Sequence, residues 1–264
     1  MSIIKRIYKK IMLWVNFANL GKNFWQVVWF RILNMLKLDN KFPYKAQIIL
    51  NNGVVLDYGE VMDLSAVPVA VEIWLEKIYH PKGWEIGSND VVVDVGANIG
   101  NFAMAASKAT SNKIYAFEPV PKNFELLKRN IELNNMHNIL PFQLAVAGDA
   151  GQVVMHVSEV DTAHSITHQA FAQAGDVSVE AVTLEQFCQD QNIDKIDFLK
   201  VDSEGAEYDM FAKMSEAMLA KINKIAIEHH ERFVGRDHAE ISNKLKANGF
   251  TVLELPDHFI FATK

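Results

Sequence analysis

From residue 91 onward, short apolar runs rich in β-formers alternate with helical patterns, and this alternation constrains the fold more than any other feature. Strands are read at 91–96 (VVVDVG), 113–118 (KIYAFE), 139–146 (ILPFQLAV), 196–202 (IDFLKVD), 224–229 (KIAIEH), 251–255 (TVLEL) and 258–263 (HFIFAT). Helical patterns at 100–110, 121–134, 183–190 and 205–219 separate the first five. Strands joined through helices pair in parallel by crossovers, so an α/β fold with a doubly wound, mostly parallel sheet is expected. The last two strands are divided only by Pro256 and Asp257, too close for a crossover, and must be antiparallel. Two further β candidates, 152–158 and 177–183, flank a polar insertion after the third strand; its position makes it a candidate substrate loop.

Three regions are expected: a basic amphipathic helical segment (1–45), a hairpin and helix lead-in (46–85) and a ligand-binding domain (86–264). In the lead-in, "AQIILNNGVVLDY" reads as a hairpin turning at Asn51–Gly53, and a helix follows from Pro68 to about His80. Charge separates the first region from the rest. Of 26 bases and 32 acids in the chain, nine bases and one acid fall in residues 1–45, which leaves 17 against 31. An acidic body of this kind is a poor nucleic-acid binder.

Within the basic segment, Ile3, Ile7, Ile11, Trp14 and Ala18 share one helical face, with Lys5, Lys9, Met12 and Asn16 largely on another. Its longest uncharged run, Ile11 to Gly21, is far short of the roughly 20 residues a bilayer span needs. Asn16 and Asn19 interrupt any signal-peptide core. Two readings remain open. One is a peripheral face for anionic membrane, with Trp14, Trp25 and Trp29 at the interface. The other is a helical cap on the core or on a second subunit of a homo-oligomer; this is favoured because apolar helices usually pack on protein. The single cysteine, Cys188, excludes an internal disulfide and fits a reducing compartment, so the expected location is cytoplasmic, or peripheral at the inner face of a membrane. Cys188 has no activating base nearby in sequence and is assigned a packing role.

The chemistry begins with "VVVDVGANIGNFAMAASKA", a strand, a glycine-bearing turn and a helix in succession. Gly96 and Gly100 allow close ligand approach, and the following helix start offers free N–H groups. Their G-x-x-x-G spacing is not the dinucleotide fingerprint. Asp94, just before the turn, repels a pyrophosphate but suits the amine of an aminoacyl group. Glu118 ends the next strand, where a carboxylate accepts both hydroxyls of a ribose. S-adenosyl-L-methionine meets all three conditions: a ribose, a cationic centre and no phosphate.

With "DVGANIGNF" (94–102), "AFEPVPKNFELLKRNIELNN" (116–135) and "FLKVDSEGAE" (198–207) in order, the sequence resembles the FkbM-type methyltransferases. The resemblance spans roughly residues 90–230. It implies a Rossmann-like class I methyltransferase fold and an S-adenosylmethionine-dependent enzyme, usually an O-methyltransferase of sugars or natural-product hydroxyls. It also implies cofactor contacts from Asp94, Gly96, Asn98, Gly100 and Glu118, with Pro119 near the adenine. Two positions depart from the usual pattern: Asn98 stands for the middle glycine of D/E-x-G-x-G-x-G, and Ser203 for an aliphatic residue.

In an open parallel sheet, ligands gather beyond the carboxyl ends of the strands where strand order reverses. The fourth strand is expected beside the first there, which brings Asp202 to the emerging methyl group. Asp202 is the expected acid for orienting or activating an acceptor hydroxyl. Lys200 shares its face and is expected to pair with it; Glu204 and Glu207 suit a helix first turn equally well. The fifth strand ends in Glu228, His229 and His230 on the same rim, and alternation puts the two histidines on opposite faces. His230 lies further past the strand and is the expected proton acceptor. No metal is expected: the His164/His168 pair with Asp161 and His156 reads as a polar loop, and Mg²⁺ on Asp202 and Glu228 is disfavoured. The expected partner is a small-molecule or glycan acceptor. An N-methyltransferase or a non-catalytic cofactor-binding scaffold remains open as an alternative, while the glycine spacing argues against a nicotinamide oxidoreductase.

Overall fold

The computed structural model describes residues 3–35, 46–59, 66–157, 175–256 and 258–264. Two helices, α1 (Ile3–Leu20) and α2 (Phe24–Met35), precede a hairpin of β1 (Gln47–Ile49) and β2 (Val55–Asp57). Helix α3 (Ala66–Val71) runs into one π-helical turn, Glu72–Glu76, which stops at Lys77 in the left-handed region. The alternating part comprises β3 (Val92–Val95), α4 (Asn101–Ala109), β4 (Ile114–Phe117), α5 (Pro121–Leu133) and β5 (Ile139–Phe142). Next come β6 (Ala145–Val146), β7 (Gly151–Val157), β8 (Gly175–Val182), α6 (Leu184–Asp190), β9 (Ile196–Val201), α7 (Glu207–Lys213) and α8 (Glu216–Ala220). The chain closes with β10 (Ile222–Glu228), α9 (Glu231–Val234), α10 (Ala239–Ala247), β11 (Thr251–Leu255) and β12 (Phe259–Thr263).

The main sheet has the order β11-β12-β10-β9-β3-β4-β5. Strands β5, β4, β3, β9 and β10 are parallel, and β12 runs antiparallel to both β10 and β11. This is the expected Rossmann-like architecture, and strand order reverses between β3 and β9. Both sheet faces are covered, so the central strands are mostly apolar, with Asp94 in β3 and Asp197 and Lys200 in β9 as exceptions. In β3, Val92 joins one core layer with Phe102, Phe198 and Phe261, while Val93 and Val95 join the other with Leu199, Phe187 and Phe211. Asp94 therefore points into the first layer, beside its cross-strand partner Lys200.

Three local readings are corrected. The expected strand 139–146 is two strands: β5 ends at Phe142, and β6 leaves to pair in parallel with β8 in a three-stranded sheet with β7. Pro141 sits on the β5 edge, where its missing N–H costs no ladder bond. The expected helix 205–219 breaks at Ser215, whose hydroxyl accepts from Met218 N (3.0 Å) and starts α8. Helices α9 and α10 were not expected; Ile241 and Leu245 of α10 are one turn apart and bury in the second core layer.

The lead-in shares the first core layer: Phe17, Val27, Ile48, Leu56 and Val71 pack with the sheet's Val92 and Phe198. Among the described side chains of α1, Leu13, Trp14, Phe17 and Leu20 pack on the core, whereas Ala18, expected on the apolar face, is exposed. Phe17 packs against the rings of Trp14 and Phe24. Trp14 therefore packs inward, against the interfacial role considered for it, whereas Trp25 (78% exposed) and Trp29 (58%) face outward. Among the described residues no helix is long and apolar enough to cross a membrane.

What docks the hairpin is a pair of asparagines on α5. Asn130 accepts from Asp57 N (2.7 Å) and donates to Asp57 O (3.0 Å) and Ile99 O (2.9 Å), while Asn134 accepts from Val55 N and donates to Val55 O, both at 2.8 Å. Their amides act as a borrowed strand for the β2 edge. Asn130 is fully buried. Asn130→Ala is expected to destabilise by about 3 kcal/mol through stranded backbone groups. At this chain size that lowers Tm by about 6–12 °C; an unchanged melting curve would contradict the docking role.

Candidate active site

The floor of the site is the contact between the ends of β3 and β9. Asp202 N donates to Val95 O (3.0 Å), and a Cβ on Gly96 would lie 1.8 Å from Asp202 O. Gly96 thus serves first to let these two backbones meet. Gly100 (φ +95°) caps α4, and a Cβ there would meet Leu127 Cδ1 at 2.6 Å. Between them Asn98 takes the left-handed conformation (φ 51°) that asparagine tolerates better than most side chains, which explains how it replaces a glycine. Asn98 N donates to Glu118 Oε2 (2.8 Å) and Val120 N to Glu118 Oε1 (2.9 Å). Each carboxylate oxygen keeps acceptor capacity. Burial pushes the Glu118 carboxyl up to about 7, with the two N–H donors opposing it.

Two cavities meet on this floor. The first is lined by Gly96, Asn98, Glu118 and Pro119 and walled by Val120, Leu144 and Met155, with Asn123 as a polar neighbour. The second, the larger of the two, opens between the lead-in and the sheet, with Tyr79, Phe102 and Phe259 as aromatic walls and Glu72, Glu76 and Glu228 as carboxylates. Gly96, Asn98, Asp202 and Glu204 line both.

The polar groups at the junction are strongly coupled. Lys200, 3% exposed, lies 3.1 Å from Asp94 Oδ1 and 3.6 Å from Asp202 Oδ2 and donates to Gly96 O (2.8 Å). Burial works against its charge, but Asp94 and Asp202 overcome this and raise its pKa. Tyr79 OH lies 2.9 Å from Asp202 Oδ2 and 2.6 Å from Glu228 Oε2. One phenolic proton cannot fully satisfy two carboxylates. Burial, then Asp202, pushes Glu228 up to about 7, so that this carboxyl exchanges a proton near neutrality.

On the other side of Asp202, the β9–α7 turn is tied by Glu207. This fully buried carboxylate accepts from Gly205 N (2.7 Å), Ser203 Oγ (3.0 Å) and His230 N (2.8 Å). Ser203 thus has a hydrogen-bonding task where an aliphatic residue was expected. Glu204 adopts φ 50° in this turn and reaches His230 Nε2 at 3.3 Å, while Asp202 Oδ1 is 3.8 Å from the same nitrogen. Burial raises Glu204 to about 8 against the opposing charge of His230.

Several sequence-based roles change in this setting. Asp94, expected at a ligand amine, is fully buried, is paired with Lys200, which it anchors, and is absent from both cavity linings. Gly100 likewise acts through packing, whereas Gly96, Asn98, Glu118 and Pro119 do line the first cavity. His230, the expected proton acceptor, faces Glu204 and Glu207, opposite His229 as expected. Burial alone would lower its pKa, yet hydrogen bonding to Glu207 and the charges of Glu204 and Asp202 raise it to about 10. These contacts favour its charged form and tie it to the carboxylates of the β9–α7 turn. Cys188 is buried as expected, and burial pushes its thiol up to about 11. Of the metal candidates, Asp161, His164 and His168 and most of the expected substrate loop lie outside the described residues.

Sequence reasoning missed Tyr79. No motif marks it, and it reaches Asp202 across 123 residues of chain.

Comparison with known proteins agrees with this geometry. The sequence matches the methyltransferase FkbM domain over residues 94–252. It is 25% identical over 181 residues to the hexuronic acid methyltransferase AglP of Haloferax volcanii, covering 68% of this chain and 73% of that protein. It is 27% identical over 223 residues to the 31-O-demethyl-FK506 methyltransferase FkbM of Streptomyces tacrolimicus, covering 73% and 85% respectively. The crystal structure of methyltransferase FkbM from Methylobacillus flagellatus KT shares the fold at a TM-score of 0.50 and 14% identity, over 98% of this chain and 60% of that one.

Proposed function

Because the chain belongs to the methyltransferase FkbM family, we propose that it is an S-adenosylmethionine-dependent O-methyltransferase acting on a hydroxyl of a neutral, polyhydroxylated acceptor such as a sugar, glycan or natural product. The observation that carries this reading is the meeting of two unlike cavities at Asp202. In the first, the unfilled acceptor capacity of Glu118 matches two vicinal ribose hydroxyls. Pro119, Val120, Leu144 and Met155 offer an apolar slot for a base, with Asn123 available to its polar edge. S-adenosylmethionine supplies an electrophilic methyl group when bound there.

The chain's own residues do the rest. Aromatic rings of Tyr79, Phe102 and Phe259 suit the C–H faces of a sugar ring, and Glu72, Glu76 and Glu228 accept from its hydroxyls. So many carboxylates disfavour an anionic acceptor. Asp202, fixed between Lys200 and Tyr79, orients the attacking hydroxyl, and its neighbour Glu228 takes up the proton released. Alignment of this kind lowers a barrier by roughly 7–11 kcal/mol in well-oriented cases, and proton transfer contributes about 10²- to 10⁴-fold.

Asp202→Asn keeps the side-chain shape and removes the charge. Product formation with a panel of neutral sugar acceptors is expected to fall about 10²- to 10⁴-fold, with S-adenosylhomocysteine affinity changed only a few-fold. Wild-type turnover in this variant would overturn the assignment.

Glu118 gives a pH test. Its folded pKa of about 7 exceeds the usual carboxylate value of 4.5, so the folded state holds a proton that the unfolded chain releases between those values. Stability from this group is present below about 4.5 and is lost as pH rises through about 7. Ribose hydroxyls need the ionised form, so affinity moves the opposite way. Calorimetry with S-adenosylhomocysteine is expected to show binding tighten about tenfold from pH 6 to pH 8, with Glu118→Gln weaker and flat. A flat wild-type profile would remove Glu118 from the ribose contact.

A further inference from the structure

Behind His230, on the opposite face of the β10 terminus, lies a second cluster that the methyl-transfer reading does not use. A ring nitrogen of His229, a ring nitrogen of His238 and a carboxylate oxygen of Glu231 lie within 4.8 Å of one another. The two imidazole centroids lie 4.7 Å apart with ring planes 16° apart, and the His258 ring stands edge-on to His229 at 5.5 Å. These groups come from the end of β10, from α9, from the start of α10 and from the turn between β11 and β12.

We propose that His229, His238 and Glu231 bind a zinc ion that clamps the C-terminal segment to the back of the active-site rim. Three observations carry this. His229 is only 5% exposed, and its Nδ1 is buried without a hydrogen-bond partner, although buried polar atoms are normally satisfied. The His238 Nδ1–Glu231 Oε2 separation is 3.3 Å. That is long for a charge-assisted hydrogen bond, about 2.7–2.9 Å, but two ligands at about 2.0–2.1 Å from a tetrahedral zinc stand about 3.3–3.4 Å apart. Finally, the other nitrogen of His238 already faces a carboxylate, Glu254 Oε2 at 3.5 Å. Metal-bound imidazoles generally direct their second N–H to such a group, which fixes ring orientation.

Two imidazoles and one carboxylate suit zinc better than the hard cations, which prefer all-oxygen sets. His258 or a water supplies the fourth position. The consequence is mechanical. His229 precedes His230, which holds Glu204 beside Asp202, and His229 N donates to His258 O (2.9 Å), next to the cavity residue Phe259. An ion here fixes the rim from behind without touching substrate.

The test uses full-length protein stripped with EDTA and titrated with Zn²⁺ and, as a spectroscopic probe, Co²⁺. One zinc per chain retained through gel filtration, a rise in Tm on zinc addition and the visible absorption of tetrahedral cobalt are the expected results. Affinity should fall at least tenfold in both His238→Ala and Glu231→Gln. Both side chains are partly exposed, so folding survives and circular dichroism verifies it. Glu254→Gln should weaken binding about 10- to 100-fold, while Asp202→Asn should bind as wild type. Absence of uptake by the stripped protein, or equal uptake by wild type and His238→Ala, would overturn the proposal. Loss of binding in Asp202→Asn alone would place the ion at the acidic junction and also overturn it.

Discussion

Gly96→Ala is expected not to yield a stable folded protein, or to yield one destabilised by more than about 4 kcal/mol. The added Cβ would fall 1.8 Å from Asp202 O and 2.9 Å from its carbonyl carbon, and the residue sits at φ +76°. Both obstacles are backbone, so no side-chain rotation relieves them. The Asp202 N–Val95 O bond prevents the two strands from simply parting. Gly100→Ala is the instructive control. It shares the positive φ (+95°) and its strain, but its Cβ meets only side-chain atoms, chiefly the end of Leu127, so beyond that common strain a cost of about 1–3 kcal/mol is expected from overpacking. Thermal unfolding of the two variants should therefore separate them by several degrees. A Gly96→Ala protein that melts like wild type would mean that β3 and β9 need not touch and that the shared floor of the two cavities is not built this way.

The contrast shows which parts of the site sequence could reveal. Gly96, Asn98, Glu118 and Asp202 were legible because they are local to strand ends, and a parallel sheet directs all such ends to one edge. The order reversal at β3 and β9 followed from the same rule. Tyr79 was illegible for the converse reason: it belongs to the lead-in, and only long-range packing brings its hydroxyl between Asp202 and Glu228. The surroundings of His230 were illegible because its proton affinity depends on three carboxylates, Asp202, Glu204 and Glu207, that follow β9, whereas the histidine itself follows β10. Glu207 looked like an ordinary first-turn acid, and only the fold reveals that it accepts from both the β9–α7 turn and the β10 terminus. Strand β6 was concealed because Ala145 and Val146 continue an apolar run whose change of sheet has no sequence signal of its own. Asn130 and Asn134 show the same limit: their spacing marks one helix face, but their partners are backbone groups more than 70 residues away.

Asp94 yields the second large effect, and it tests what its burial is for. Lys200→Met leaves the Asp94 carboxylate fully buried with its cationic partner removed. Breaking a buried pair from one side costs about 3–5 kcal/mol, whereas replacing both partners with apolar groups is often nearly neutral. Lys200→Met alone should lower Tm by roughly 6–20 °C, and Lys200→Met combined with Asp94→Leu should recover most of that loss. Catalysis should not recover. Lys200 also donates to Gly96 O and stands 3.6 Å from Asp202, so the double variant restores the core while leaving the floor of both cavities untethered. Stability and methyl transfer should thus part company in one protein. Full recovery of turnover would show that Lys200 only neutralises Asp94; failure of the double variant to regain stability would show that Asp94 has a partner other than this lysine.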